Sequence, residues 1–536
     1  MFRTWTGWRA RTPLAVAGVT LGALVAAAPA VSASTLGAQA AASASGPVVG
    51  TANGAVRGLA NGAADEFLGI PYAAPPVGAL RWRPPQPAAS WPGVRDATQF
   101  APHCPQPASP FGQASASENC LFLNVFTPRQ QGGGSRRPVM VWIHGGALVS
   151  GESDDYLPAK LVGDGVTVVT INYRLGALGF LAHPALADAK GQSGDYGLMD
   201  QQAALRWVQR NIASFGGDPH NVTIFGESAG GLSTLSQVAS PQARGLFQKA
   251  IAESGSYNLT QTSLPSAESA GEAFAAQAGC ASQTAACLRS LPVSAILASQ
   301  DAAGYTPNIN SEVLPESLGI AFATGNFNRV PIINGTNRDE WRLFVALSEL
   351  EGNPVTASNY QSMISSTLGV PSAAAAVIAA KYPLSAFPSP SIALGAVGTD
   401  AIFACPALTI DQSVSHFVPT FAYEFNDENA PEKFLPPVSF PYGAAHASEI
   451  QYLMELPTAA FPGTLSVQQQ QLATIMKGYW TNFAKGGFPS SSGIPFWPLF
   501  SSLTQKMQSL APPTPQTETD FASVHNCGFW TALAAA

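Results

Sequence analysis

Short runs of residues that are nearly all apolar or β-branched recur along the chain, and segments of helical character lie between them. These runs cover residues 139–143, 166–171, 222–225, 330–335 and 420–425. A strand that is apolar at successive positions must be buried on both faces, as in a parallel sheet covered by helices. Residues 200–212 supply one such helix, because their apolar side chains follow helical spacing. The pattern predicts an α/β fold with a large, mostly parallel central sheet and helices on both faces.

Composition fits a large globular core. Hydrophobic residues make up 46% of the 536 residues, and charged residues only 11%. The net charge of −7 is spread thinly, and the absence of any Lys/Arg run argues against a nucleic-acid partner. Residues 259–310 and 354–382 are helical in character and poor in strand signals. We expect both to be helical insertions that build walls around a site.

The first 33 residues have the pattern of a secretory signal peptide. Three arginines, at positions 3, 9 and 11, precede an apolar run over 14–28, and Val31-Ser32-Ala33 offers the small residues of a cleavage site. A membrane anchor is the alternative, but this run is shorter than the ~20 residues that span a bilayer. We expect no other stretch to be long and apolar enough to span, and therefore no stable membrane anchor.

The rest of the chain divides simply. Residues 34–45 form an Ala/Ser-rich segment without periodicity, which is expected to be flexible. Residues 46–536 are expected to form a single catalytic domain, since large α/β folds often carry insertions within one unit.

Six cysteines are present, and export would favour disulfides between them. Cys104 and Cys120 are neighbours in sequence, as are Cys280 and Cys287, which leaves Cys405 and Cys527 as a distant pair. This pairing is only one of many that six cysteines allow. A zinc site is the rival interpretation, but C-x₂-C spacing is lacking, so no metal is expected.

The motif Gly226-Glu227-Ser228-Ala229-Gly230 has the form G-x-S-x-G. It follows the apolar run 222–225 directly and precedes a helix-like segment at 231–239. A serine at a tight strand-to-helix turn projects above the sheet and can act as a nucleophile. An ordinary glycine-rich turn is the alternative, but the strand and helix context favours Ser228 as a nucleophile.

A serine nucleophile requires a base and donors for an oxyanion. His144-Gly145-Gly146-Ala147 ends the run 139–143 and has the HGG form whose backbone N–H groups bind oxyanions; a simple glycine turn is the alternative. For the base, His446 lies in a loop after a strand-like run. His416 lies in an apolar stretch where we expect a packed structural role, and His525 is near the C-terminus.

Further motifs extend these features over most of the chain. They are Phe67-Leu68-Gly69-Ile70-Pro71-Tyr72-Ala73, Leu80-Arg81-Trp82, Glu118-Asn119-Cys120-Leu121-Phe122-Leu123-Asn124-Val125, the stretch from Asn172 to Leu181, and the block from Gly197 through Asp218-Pro219 to Gly230. In this order they resemble the type-B carboxylesterase/cholinesterase family of α/β-hydrolases, from about Phe67 almost to the C-terminus.

The resemblance implies an α/β-hydrolase fold and a Ser-His-Glu triad. It implies that the acid is Glu340, in Thr336-Asn337-Arg338-Asp339-Glu340, and that the base is His446. Asp339 is the local competitor, with turn formation or pairing with Arg338 as its alternative role. Trp341 departs from the family, which usually has Gly after the acid.

The resemblance further implies that the oxyanion donors are the N–H groups of Gly146, Ala147 and Ala229, although the family more often has Gly where Ala147 stands. It also implies the disulfides Cys104–Cys120, Cys280–Cys287 and Cys405–Cys527. The implied reaction is two-step acyl transfer on a small-molecule ester, without metal or organic cofactor.

The loop between the first two cysteines, Pro105 to Asn119, limits the substrate. Phe111 is its only aromatic residue, so the tryptophan that binds choline in cholinesterases is missing. The loop is also short and polar compared with the amphipathic lid of lipases. We therefore expect soluble esters of short or medium acyl length. Alternatives are a lipase for longer-chain acylglycerols, a non-catalytic binding protein of the same fold, and amidase or carbamate-hydrolysing activity.

Overall fold

The computed structural model describes residues 46–129, 135–300 and 304–535. The predicted signal peptide (1–33) and the Ala/Ser-rich segment (34–45) lie outside the described residues. The strands are β1 (Val48–Thr51), β2 (Gly54–Arg57), β3 (Leu59–Asn61), β4 (Ala64–Pro71), β5 (Val94–Asp96), β6 (Phe122–Pro128), β7 (Arg137–Ile143), β8 (Thr167–Ile171), β9 (Gly217–Glu227), β10 (Lys249–Glu253), β11 (Thr262–Ser263), β12 (Asn308–Ile309), β13 (Ile332–Asn337), β14 (Thr420–Phe425), β15 (Met507–Leu510) and β16 (Gln516–Glu518).

Helices separate most of these strands. They are α1 (Ala159–Val162), α2 (Gly176–Phe180), α3 (Tyr196–Asn211), α4 (Ala229–Ala239), α5 (Leu264–Gln277), α6 (Ala285–Ser290), α7 (Val293–Ser299), α8 (Leu318–Thr324), α9 (Arg342–Leu350), α10 (Tyr360–Leu368), α11 (Ser372–Lys381), α12 (Pro390–Gly398), α13 (Cys405–Val414), α14 (Ile450–Leu453), α15 (Val467–Gly486), α16 (Phe521–Val524) and α17 (Cys527–Ala535). A π-helical turn, Thr399–Ala404, joins α12 to α13.

The central sheet has eleven strands in the order β16-β15-β14-β13-β10-β9-β7-β8-β6-β4-β3. Pairing is parallel from β15 through to β8, and antiparallel where β16, β6, β4 and β3 complete the two edges. The predicted, mostly parallel sheet is confirmed. Because the central strands are parallel, their carboxyl ends meet at one edge, which is where open α/β sheets bind ligands.

Helices cover both faces of this sheet, as predicted. One apolar core lies between the sheet and α3, α4, α8 and α13, and it contains buried residues such as Trp207 and Leu232. The other lies between the sheet and α1, α14 and α15, with Trp142 and Trp480 among its buried residues. Each central strand therefore has apolar side chains on both faces, which explains the continuous apolar runs in the sequence.

The two predicted helical insertions are present. The first contains α5, α6 and α7, together with the short parallel pair β11 and β12. The second contains α10 and α11, which pack with α9 and α12 in a separate apolar cluster. This second cluster includes Trp341 and Phe403, so it reaches the carboxyl end of β13.

One expectation about apolar stretches was wrong. Among the described residues, the helical stretch Pro390–Val414 is long and apolar enough to cross a membrane by length and composition alone. Of its most apolar window, 72% is buried inside the protein. It packs as a core helix against α9 and the sheet, so burial in the protein accounts for its apolar character.

Candidate active site

Ser228 stands alone between β9 and α4, at the carboxyl edge of the sheet. Its backbone has φ 57° and ψ −120°, a region that a residue with a side chain rarely adopts. Its N–H donates to the carbonyl of Glu253 at the end of β10 (2.9 Å), which fixes the turn. A Cβ at Gly226 would lie 2.5 Å from the carbonyl oxygen of Ile143, and one at Gly230 would overlap the same carbonyl. Both motif glycines are therefore required by the close approach of β7.

Glu340 and His446 come together from two different loops after β13 and β14. The imidazole Nδ1 lies 2.5 Å from Oε2 of Glu340. The other oxygen of Glu340 accepts hydrogen bonds from the Thr336 hydroxyl and from the Asn337 N–H, both 2.7 Å. Glu340 is fully buried and His446 is 5% exposed, so the base lies in the protein interior and not at an exposed loop tip.

The second ring nitrogen of His446 faces the residue before the serine. Nε2 lies 3.2 Å from Oε1 of Glu227, in a geometry that makes no hydrogen bond. Among the described residues, Nε2 also makes no hydrogen bond to the Ser228 hydroxyl. Ser228 is half-buried and follows Glu227 directly in the sequence. Contacts of this kind are often loose in an unliganded site and tighten in the transition-state complex.

Three further carboxyl groups are buried behind the histidine, and sequence reasoning missed them. Burial raises the pKa of Glu227 well above its usual range, that of Glu253 to about 8 and that of Glu449 to about 7. The amide Nδ2 of Asn337 donates to Glu449 (2.5 Å), and the indole of Trp480 donates to Glu253 (2.9 Å). Glu227 stands inside the serine motif and Glu449 three residues after the histidine, so proximity to the motifs was the available signal.

Nearby carboxyl groups shift the pKa of His446. Burial disfavours the imidazolium and lowers its pKa, but the negative charges of Glu227, Glu340 and Glu449 outweigh burial. The net result is a pKa raised to about 9. A histidine whose positive form is stabilised this way can accept a proton readily during a reaction, provided that it begins neutral.

The loop after β7 lies against Ser228. A Cβ at Gly145 would be 3.2 Å from the Cβ of Ser228. Gly146 and Ala147 have φ of 97° and 55°, which turns the chain sharply. The carbonyl of Gly146 accepts hydrogen bonds from Val149 and Ser150, and no described residue accepts one from the N–H groups of Gly146, Ala147 or Ala229. These donors are therefore available to bind an oxyanion.

His144 is part of the support for this loop. Its ring stacks on Tyr173 (centroids 4.5 Å apart), and Nδ1 lies 2.9 Å from the Gly145 carbonyl oxygen. Tyr173 donates its hydroxyl hydrogen to the carbonyl of His144 (2.8 Å). Burial lowers the pKa of His144 to about 4, so the ring is neutral near pH 7. His144 is therefore a poor candidate for the base, and it orients the loop.

The loop within the first disulfide is tied to the same region. The buried carboxylate of Glu152 accepts hydrogen bonds from the Gln106 side chain (3.1 Å) and the Gln113 N–H (2.8 Å). Gln106 also accepts a hydrogen bond from the N–H of Gly151 (2.7 Å). At its outer end, the ring of Phe111 packs on Phe434 (5.5 Å). The loop is thus held at both ends.

Aromatic side chains border His446. The rings of Phe344 and Phe403 lie 5.3 and 5.0 Å from the imidazole, measured between centroids. Trp341 stacks on Phe344 (4.4 Å), and Tyr257 lies 5.5 Å from Phe403. Sequence reasoning missed this aromatic wall, because its members come from a loop after β10, from α9 and from the π-helical turn.

The remaining residues named from the sequence occupy other places. The structure pairs the cysteines as Cys104–Cys120, Cys280–Cys287 and Cys405–Cys527. His416 is exposed, so the expectation of a packed residue was wrong: it lies in the turn that follows α13, where the chain reaches the surface.

Asp339 also differs from expectation, and the structure gives His525 a structural place. Asp339 pairs with Arg342 (2.8 Å) and not with Arg338, which instead pairs with Glu428. His525 is buried between Asp400 and Glu424, with each ring nitrogen 2.6 Å from a carboxylate oxygen. His525 is thus a structural ion-pair residue far along the chain from the serine motif.

Comparison with known proteins adds an independent line of evidence. The model of the carboxylesterase family matches residues 45–530. Among similar proteins, acylcarnitine hydrolase of Mus musculus is 35% identical over 469 residues, which cover 82% of this chain and 82% of that protein. Cocaine esterase of Homo sapiens is 35% identical over 474 residues (82% and 83%). Para-nitrobenzyl esterase of Bacillus subtilis is 35% identical over 461 residues (82% and 89%).

Proposed function

This chain belongs to the carboxylesterase family of carboxylic ester hydrolases, and from that premise we propose that it is a secreted serine esterase with the triad Ser228, His446 and Glu340. The observation that carries the proposal is the strained turn of Ser228, held between β9 and α4 by glycines that the neighbouring strand requires. Such strain is kept in proteins where a reactive side chain must project from the sheet.

In the first half of the reaction, His446 removes the proton of the Ser228 hydroxyl through Nε2, and the oxygen attacks the ester carbonyl carbon. Glu340, 2.5 Å from Nδ1, keeps that nitrogen protonated and stabilises the imidazolium that forms. The imidazolium then gives its proton to the departing alcohol oxygen. This leaves an acyl group on Ser228, and water repeats the steps to release the acid.

Charge on the carbonyl oxygen is met by the N–H groups of Gly146, Ala147 and Ala229. The loop of Gly145 and Gly146 lies against Ser228, and Ala229 opens α4, whose N-terminal end favours negative charge. Each such donor is typically worth about 3–4 kcal/mol of transition-state stabilisation. The positive φ of Ala147 supports this role, because strained backbone of this kind is concentrated at functional sites.

Glu227 influences whether His446 is protonated before the reaction begins. A charged carboxylate 3.2 Å from Nε2 would hold the imidazolium and keep His446 from acting as a base. Because burial raises the pKa of Glu227, its carboxyl group can take a proton and leave His446 neutral at the start of the reaction. His446 therefore acts as a base once it has lost its proton, and the charge of Glu227 sets the pH at which that happens.

The substrates are proposed to be soluble esters of short or medium acyl length. The loop 105–119, which would have to move aside to expose a lipid-binding face, is instead fixed by Glu152 through Gln106 and Gln113. Its single aromatic residue, Phe111, packs on Phe434 and is not available as a ring for a cationic alcohol.

Secretion is proposed from two observations. Three disulfides are typical of proteins that fold in an oxidising compartment. The N-terminal residues 1–33 have the charge and hydropathy pattern of a signal peptide. Recovery of active protein from the medium, with its N-terminus after Ala33, is the expected result of expression with the natural leader.

A panel of esters tests the proposal. Ser228→Ala should fold as the wild type does and hydrolyse none of the panel, because no other group supplies the nucleophile. Within the panel, rates should fall once acyl chains exceed medium length. A sharp rise in rate above the solubility limit of the ester would contradict the preference for soluble substrates, and turnover by Ser228→Ala would contradict the mechanism.

A further inference from the structure

The side chain of Trp341 packs in a space that exists because the neighbouring residue is a glycine. It follows Glu340 directly and is 8% exposed. Its backbone N–H donates to the hydroxyl of Thr399 (3.0 Å). Its indole lies over Gly398, where a Cβ on the glycine would overlap the ring. The large side chain next to the acid therefore requires a residue without a side chain at the end of α12.

The indole is the base of the aromatic wall. It stacks on Phe344 at 4.4 Å with an interplanar angle of 27°, and it lies 6.2 Å from Phe403. Phe344 and Phe403 are also 6.0 Å from one another and nearly parallel, with 23° between their planes. Both rings contact His446 on their other side. Trp341 thus fixes how far these two rings stand from the catalytic histidine.

The position of this wall indicates which part of an ester it meets. Ser228 follows β9. The oxyanion loop follows β7 on one side, and Tyr257 and Phe344 follow β10 and β13 on the other. The alcohol must leave after the first half-reaction, whereas the acyl group stays bonded to the serine. A wall of packed rings on the β10 and β13 side of the serine, with the β7 loop on the other side, suits the group that remains.

We propose that Trp341 is a positioning residue that sets the length of the acyl pocket, by holding Phe344 and Phe403 close to His446 and so excluding long acyl chains. The inference rests on the proposed function of Ser228. It assigns a role to the side chain that follows the proposed acid, and it names Gly398 as the residue that leaves room for the indole.

Removal of the indole tests the proposal. In Trp341→Gly, Phe344 can move into the vacated volume, and the pocket should lengthen. The measured quantity is kcat/KM for p-nitrophenyl acetate, butyrate and octanoate. One further buried methylene is worth about fourfold in binding, so room for two more should raise the octanoate-to-acetate ratio about tenfold or more. Trp341→Phe keeps part of the stack and should give an intermediate ratio.

A matched control separates this effect from a general loosening of the cluster. Ile378 is buried in the same apolar cluster, on α11, and Ile378→Val should keep the wild-type ratio. Rates are divided by the fraction of chain that a serine-directed phosphonate labels, so unfolded protein does not enter. If Trp341→Gly yields no labelled protein, the ratio of Trp341→Phe decides.

Two results would overturn the inference. They are an unchanged acyl ratio in both Trp341 variants, or an equal change in Ile378→Val. Failure of the proposed function looks different, because wild-type protein would then carry no phosphonate on Ser228.

Discussion

Replacing Glu227 with glutamine should move the acid limb of the pH–rate profile to lower pH. The carboxyl oxygen lies 3.2 Å from Nε2 of His446, and the amide is nearly the same size but carries no charge. The histidine must be neutral to act as a base, and its pKa is raised to about 9. Because His446 is protonated below that pKa, wild-type kcat/KM should climb with pH until the pKa is passed.

The size of the shift follows from the distance. Two full charges at 3.2 Å would interact by about 5 kcal/mol at an effective dielectric constant of about 20. Burial also raises the pKa of Glu227, so its carboxyl group carries only part of a charge when His446 titrates. Because one pKa unit is about 1.4 kcal/mol, we expect the limb to fall by about 1–2 pH units.

The assay is kcat/KM for a soluble ester between pH 5 and pH 10, in buffers of constant ionic strength. Glu253→Gln is the matched control, because Glu253 is equally buried and its pKa is raised to about 8, but it is not among the groups that shift His446. An acid limb at the wild-type position in Glu227→Gln, or an equal shift in Glu253→Gln, would refute the reasoning.

Two further predictions concern stability. Replacing His525 with leucine leaves Asp400 and Glu424 buried without their partner, and it should cost about 3–5 kcal/mol in the free energy of unfolding, measured by urea denaturation at pH 7. The pKa of His525 is raised to about 10, above its value of about 6.5 in an unfolded chain. The stability that protonated His525 gives the folded chain is therefore complete below about pH 6.5 and lost as pH rises through about 10. A Tm difference between wild type and variant that does not narrow over that range would contradict this pH dependence. Replacing Cys405 and Cys527 together with serine opens a loop of 122 residues, and the larger entropy of the unfolded chain should lower stability by about 4–5 kcal/mol. The same double change at Cys280 and Cys287, which are separated by only 7 residues, should cost clearly less, and equal losses would argue against a loop-length effect.

The features that could be predicted from the sequence are those set by local physics. A run apolar at every position must be a doubly covered strand, and a serine between two glycines after such a run must stand at a tight turn. The resemblance drawn from the motifs is confirmed by the match to the carboxylesterase family over residues 45–530, and the α/β fold is confirmed with it. The start of α3 at Tyr196, ahead of the periodic stretch, could not be predicted this way, because its first three residues are all buried and show no alternation of buried and exposed positions.

The features that could not be predicted depend on packing between distant segments. Glu227, Glu253 and Glu449 follow or end different strands and meet only because those strands end at the same edge of one sheet. The aromatic wall requires the π-helical turn, which brings Phe403 to His446 and which no local pattern marks. Asp339 has two arginines nearby in sequence, and only the course of α9 decides that it pairs with Arg342.

The central claim is that Ser228 carries the acyl group, and mass mapping of a covalent adduct tests it most directly. Wild-type protein treated with a serine-directed phosphonate should gain one adduct, on the peptide that contains Ser228, and should lose ester hydrolysis in proportion. Ser228→Ala should gain none while keeping the wild-type Tm. An adduct on another residue, or ester hydrolysis that survives full labelling of Ser228, would contradict the account.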